Sequence, residues 1–136
     1  DSVELNEGEG FSTYSGSVII VQGSMTIEAN TVKVTFNDDG IETMVATEGN
    51  NDGLAYMQQE SEPVGDGKGD IMQAWGKRID YQLNTEFLTL LGGAKLIQKG
   101  NLFSGHQILF NMSTENVKAT GGKDKQVKMI FLPNSN

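Results

Sequence analysis

Apolar and polar residues alternate with a period of two along most of the chain. In SMTIEANTVKVTF (24–36), Met25, Ile27 and Ala29 share one parity, with Thr26 and Glu28 between them; then Val32, Val34 and Phe36 alternate with Lys33 and Thr35. KRIDYQLN sets Ile79, Tyr81 and Leu83 against Arg78, Asp80 and Gln82. QVKMIFL places Val127, Met129 and Phe131 on one parity, blurred by Ile130 and Leu132. Successive side chains of a strand point to opposite faces, so each run reads as a strand with one buried face. Clusters of Asn, Asp and Gly punctuate the runs: NEGEG, NDDG, EGNNDG, GDGKGD, LNTE, MSTEN and GGKD. These residue types tolerate the positive φ of tight hairpin turns. The best helical candidate, DIMQAWGKRI, contains Gly76 and alternates about as well as it spirals. The pattern predicts an all-β chain of about a dozen short antiparallel strands in one meander.

The alternation also repeats. Shifted by 76 positions, without gaps, Gly16 falls on Gly92, Val18 on Ala94, Ile20 on Leu96, Gln22 on Gln98, Ile27 on Phe103 and Val32 on Ile108. A second shift, of 29, sets Gly76 on Gly105, Ile79 on Ile108, Tyr81 on Phe110 and Glu86 on Glu115. A unit this short, without a helical stretch, fits a pair of strands with its turn. Strands with one apolar face must stack or close on one another. A sandwich, a jellyroll or a β-solenoid would do so. A layered stack of this kind has two open ends whose edge strands template pairing with another chain.

Composition narrows the function. The 136 residues are enough for one domain with a core of its own, expected over 1–136. The net charge of −8 argues against nucleic acid, whose phosphates need a basic face, and against simple adsorption on an anionic membrane. The absence of cysteine excludes disulfides and thiolate metal sites. Little catalytic chemistry is on offer. His106 is the single histidine, and DGKGD (66–70) lacks the glutamate that a calcium loop needs at its twelfth position. Glu28, Glu86 and Glu115 are available carboxylates, but the last two stand at equivalent repeat positions beside Thr85 and Thr114, which speaks for turn chemistry. Asn111, in NMS, matches a glycosylation sequon inside a strand–turn repeat. No catalytic residue, metal or cofactor is expected. The surplus lies in apolar side chains: Ile19, Val21, Trp75, Phe87, Leu91 and Ile97 add to the alternating faces. They suit either an ordinary sandwich core or an apolar groove between sheets, open to a lipid.

YSGSVIIVQGSMTIEANTV resembles the signature of the OstA-like family through Gly16, Val18, Ile20, Gln22, Gly23, Ile27, Ala29, Asn30 and Val32. IDYQLNTEFLTLLGGAKLIQKGNLFSGHQILFN resembles the family's second half, with Tyr81, Leu90, Gly92, Ala94, Gln98, Gly105, Ile108 and Phe110 in place. Tyr56 keeps the central aromatic, while the family's opening strand is reduced to Asp1. The likeness runs from about Leu5 to Leu132. It implies a twisted antiparallel β-jellyroll with open ends, which holds the acyl chains of lipid A, the anchor of lipopolysaccharide, in the periplasm. It implies head-to-tail self-association, and docking to an inner-membrane lipopolysaccharide extractor and an outer-membrane assembly protein of the same family. A domain of one of those two partners, or a carbohydrate-binding β module, is the alternative. With the resemblance, Ile27, Val34, Phe36, Tyr56, Tyr81, Leu83, Leu90, Phe103, Ile108 and Phe110 are expected on lipid-lining inner faces; most have alternating parity and several occupy repeat-equivalent sites. The docking edges fall at Val3 and Leu5 on one end and at Val127, Met129 and Phe131 on the other.

Overall fold

In the computed structural model, which describes residues 2–6, 10–48, 53–60, 71–121 and 128–131, the described chain is all strand and turn. The strands are β1 (Ser2–Asn6), β2 (Phe11–Gln22), β3 (Met25–Asn37), β4 (Gly40–Thr47), β5 (Ala55–Glu60), β6 (Ile71–Gly76), β7 (Arg78–Gln82), β8 (Phe87–Gln98), β9 (Asn101–Asn111), β10 (Asn116–Thr120) and β11 (Lys128–Phe131). Every pairing is antiparallel. The GDGKGD turn, including 66–70, and Val127 lie outside the described residues.

The four longest strands each serve two sets of partners. The end of β3 with Thr31–Asn37 pairs with β4, and its start with Met25–Glu28 pairs with β5. β8 pairs with β7 through Phe87–Leu91 and with β6 through Lys95–Ile97. β9 meets β10 through Gln107–Asn111 and β11 through Asn101–Ser104. β2 meets β1 through Phe11–Ser15, and its remaining part, Val18–Gln22, pairs with β3 on one side. The sheet thus divides into a front layer (β1, β4, β7, β10 and the adjoining parts of the long strands) and a back layer (β5, β6, β11 and the other parts). The long strands fold over between the layers in a twisted jellyroll.

The crease is written into the sequence. β2 and β8 carry matching one-residue register shifts, between Ser15 and Val18 and between Leu91 and Ala94. These are the 76-residue equivalents. Gly16 and Gly92 sit at φ 84° and 75°, followed by Ser17 at 49° and Gly93 at 59°. An extra residue in one strand bends it and increases its twist, and two successive positive φ values suit glycine above other residues. β3 and β9 answer by changing their buried parity at the same point, from Met25, Ile27 and Ala29 to Val32 and Val34, and from Phe103 to Ile108 and Phe110. Backbone polar groups along the crease stay paired. Asn30 N donates to Glu48 O, Glu48 N to Lys77 O, and Lys77 N to Gly92 O, at 2.6, 2.9 and 2.9 Å. That chain of bonds carries the ladder across the bend, so the fold-over leaves none of these donors stranded.

The 29-residue echo sets β7 and its following turn on the front part of β9 and the turn that follows it. Glu86 and Glu115 occupy positive φ at 57° and 62°, as their shared turn chemistry requires. Asn111 Oδ1 accepts from the amides of Ser113 and Thr114 at 2.9 and 3.2 Å. Its equivalent, Gln82, accepts from the Thr85 hydroxyl at 3.3 Å. His106 and Glu28 are exposed.

Candidate functional site

The inner faces of the two layers carry rows of side chains that cross the whole stack in register. In the front layer one row runs Ser12, Val34, Met44, Tyr81, Leu88, Phe110, Val117. The next, nearer the crease, runs Tyr14, Val32, Ala46, Ile79, Leu90, Ile108, Ala119. In the back layer Ile20, Ile27, Met57, Ala74, Leu96 and Phe103 stand opposite one another, and Phe103 stands opposite Met129 of β11. Their central members are buried and form one apolar cluster. Near the crease the back layer carries alanines at buried inner positions, Ala29, Ala55 and Ala94, while the front-layer row closest to it carries Val32, Ile79, Leu90 and Ile108. The two layers enclose a wedge-shaped apolar core that runs from the β2 end to the β9 end.

The wedge opens on the side away from the crease. A pocket of about 250 Å³ lies there, lined from the back layer by Gln59, Ile71, Met72, Gln98 and Lys99, and from the front layer by Tyr81, Glu86, Phe110, Met112 and Glu115. Its depth is apolar and its rim charged. Lys99 Nζ reaches Glu115 Oε2 across the mouth at 2.7 Å. Burial, and after it the Glu86 carboxylate, holds the Tyr81 phenol above its ordinary pKa of 10.0, so Tyr81 is neutral at physiological pH and tolerates an apolar neighbour. Two buried oxygens on these inner faces, Ser12 Oγ and Gln59 Oε1, have no hydrogen-bond partner among the described residues. No group of three or more metal-ligating side chains converges among the described residues.

Of the ten residues expected on the inner faces, Ile27, Val34, Tyr81, Leu90, Phe103, Ile108 and Phe110 are buried in the central cluster, and Leu83 packs partly buried against it. Two depart. Tyr56 points to the outer face of the back layer, because Ala55 and Met57 on either side take the inner positions. Its ring packs at 5.2 Å on Trp75, tilted by 48°, and its hydroxyl donates to Gln58 and accepts from Gln73 at 2.7 and 2.9 Å. Lys95 sits over the other ring, 4.9 Å from its centroid. Phe36 lies one step past the last buried row, beside the register shift between Thr35 and Phe36, and is 38% exposed. Ile19 and Val21 likewise face outward, at 64% and 66% exposure.

Alternation marks Met25 as inward, but not the inward methionines Met44, Met57 and Met72 or the rim set Gln59, Gln98, Lys99 and Met112. The parity of Met57 extended by two reaches Gln59, a signal that was present. The pairing of Lys99 with Glu115 had none, since it depends on the fold-over. Val3, Leu5, Met129 and Phe131 lie on β1 and β11, which stand at opposite ends of the stack. β10 shares the second end with β11, and at the first end Val18–Gln22 of β2 has a partner on one side only among the described residues.

Comparison with known proteins agrees with this geometry. The sequence model of the family described as LptA/(LptD N-terminal domain) LPS transport protein matches residues 1–116. The lipopolysaccharide export system protein LptH of Pseudomonas aeruginosa is 32% identical over 127 residues, 93% of this chain and 69% of that protein. The lipopolysaccharide export system protein LptA of Haemophilus influenzae is 28% identical over 135 residues, 98% of this chain and 74% of that protein. The crystal structure of LptH from Pseudomonas aeruginosa, described as the LptA-homologous periplasmic component of a conserved lipopolysaccharide transport device, superposes with a TM-score of 0.83. The match is at 28% identity and covers 98% of this chain and 92% of that one.

Proposed function

This chain belongs to the LptA/LptD N-terminal domain family of LPS transport proteins, and from that premise we propose that it is a non-catalytic lipopolysaccharide carrier of the periplasm. The observation that carries the reading is the set of apolar rows that cross the stack in register from the β2 end to the β9 end. Each buried CH₂ gains about 0.8 kcal/mol, so one ~12-carbon chain is worth roughly 10 kcal/mol against water. A lipid with several such chains crosses an aqueous gap only along a continuous apolar path. The wedge supplies that path, with the acyl chains of lipid A inside it and the phosphorylated sugars left in water.

The inner face suits a cargo of variable shape. Four of its buried members are methionines, Met25, Met44, Met57 and Met72. Methionine is unbranched and polarizable, and repacks around different partners. The pocket of about 250 Å³ is small for a bound ligand, so loading several chains requires the layers to part at the mouth.

The open ends give the proposed assembly. β1 and the bare part of β2 at one end, and β10 and β11 at the other, are edges that pair with a further strand. Such contacts are heterologous and do not close, so copies add head to tail and keep their channels in line. The same edges would receive an inner-membrane extractor and an outer-membrane assembly protein built on the same fold. The test is to purify the protein from a Gram-negative host and assay it for bound lipopolysaccharide. Stoichiometric lipid is the expected result; lipid-free protein that also fails to take up added lipopolysaccharide overturns the reading.

A further inference from the structure

We infer that Gln59 forms a hydrogen-bonding subsite inside the channel, and that the chain it selects carries a hydroxyl or an amide N–H near its polar end. The inference rests on the lipid-carrier reading and specifies which acyl chemistry the channel prefers. Gln59 stands in register between Met25 and Met72, both almost fully buried. It has the inward parity of Ala55 and Met57. Its Oε1 is buried without a hydrogen-bond partner among the described residues, and it lines the pocket at the mouth of the wedge. Buried amide oxygens are nearly always partnered. A row built for packing alone would continue with a third apolar residue here.

The chemistry of the orphan atom decides what can fill it. A carboxamide oxygen accepts and never donates. A plain ester-linked chain offers only acceptors, which can take a hydrogen bond from Gln59 Nε2 but give none to Oε1, so its loading leaves Oε1 without a donor. A chain with a hydroxyl, or one joined through an amide, brings the missing donor. The surroundings fix its orientation: Met72 and Phe110 line the apolar depth, while Lys99 and Glu115 sit at the charged rim. The tail therefore points inward, and the first polar group of the chain comes level with Gln59. Ordinary diacyl phospholipid, which lacks such a donor at its ester linkages, is discriminated against.

The test uses the full chain and two single-chain amphiphiles of equal length. One is a 3-hydroxyacyl amide of glucosamine, the other its ester analogue without the hydroxyl, and each competes against a fluorescent fatty-acid probe. The wild-type protein should prefer the hydroxyacyl amide about tenfold, the ratio expected for one buried hydrogen bond made against one left unmade. Gln59→Met, which matches its methionine neighbours in shape and polarity, should bind both alike. Gln58→Met is the control: Gln58 accepts from the outward Tyr56, and its loss should leave the preference intact. Equal binding of the two by the wild type overturns the inference, whether or not Gln59→Met folds; so does a preference that survives in a folded Gln59→Met. A wild type that binds neither amphiphile nor lipopolysaccharide overturns the carrier reading itself.

Discussion

Lys99 Nζ lies 2.7 Å from Glu115 Oε2, although the two residues flank opposite ends of β9. A straight strand as long as Asn101–Asn111 would hold its ends roughly 33 Å apart. The ion pair closes that distance only because β9 folds over at the crease and brings the turn before it, in the back layer, against the turn after it, in the front layer. It is a bridge across the open side of the wedge.

Both partners are about half exposed, at 48% and 49%, so the pair contributes at most about 0.2–1 kcal/mol. Glu115→Gln should lower the unfolding free energy in urea by no more than ~1 kcal/mol, while speeding the uptake of a fluorescent lipid. The chain has no cysteine, so Lys99→Cys with Glu115→Cys can be joined cleanly by a short thiol crosslinker. The joined protein should stay folded and take up lipid more slowly than the uncrosslinked variant. Equal uptake rates would show that lipid does not pass this mouth.

The two faces of the back and front layers should differ in lipid contact. A photo-reactive residue in place of Met44 or Phe110, both buried in the inner rows, should crosslink to lipopolysaccharide. At Tyr56, which stacks outward on Trp75, or at Lys33, which sits 4.4 Å over the Phe11 ring, it should not. Crosslinking at comparable yield in both sets would remove the channel from consideration.

A crease glycine and a hairpin-turn glycine should differ by what a methyl group meets. A Cβ on Gly76 would lie 3.1 Å from Arg78 O and 3.3 Å from Leu91 O, both backbone atoms that cannot swing aside. Its repeat equivalent, Gly105, would place one 3.1 Å from Thr120 O. Gly76→Ala should cost about 1–3 kcal/mol through backbone displacement. Gly23 has φ +58° but nothing within 4 Å, so Gly23→Ala should cost only the left-handed penalty, about 1 kcal/mol. Chemical denaturation of the two variants gives the comparison, and equal losses would contradict it.

Tyr81 should make stability fall in alkali. Its phenol titrates above the ordinary value of 10.0 in the folded chain, first through burial and second through Glu86. The unfolded chain therefore loses that proton at lower pH than the folded one. The contribution is complete below pH 10 and is lost as pH rises through the folded pKa. Tyr81→Phe removes this dependence, so its melting temperature should decline less steeply above pH 10 than that of the parent. Identical slopes would place the Tyr81 hydroxyl in water.

The sequence by itself determined the strands, their buried parity and the repeat. Alternation is a local property, set by the geometry of one extended chain, and each run named its inner face unaided: Ile27 with Ala29, Val32 with Val34, Ile79 with Tyr81. The 76-residue echo marked the two long hairpins, because a bend built from Gly16 and Ser17 needs the same backbone freedom as one built from Gly92 and Gly93. Only the tertiary structure decided where the two layers converge. On β5 the register with β3 and β6 gives the inner positions to Ala55 and Met57, so Tyr56 turns out, against the expectation that the family's central aromatic lines the inside. The same fold-over chose the mouth. Gln59, Lys99 and Glu115 are far apart along the chain, and no periodicity relates a carboxamide on β5 to an ion pair between two turns. Their meeting is a consequence of how sharply the long strands bend, which depends on the packing of both layers at once.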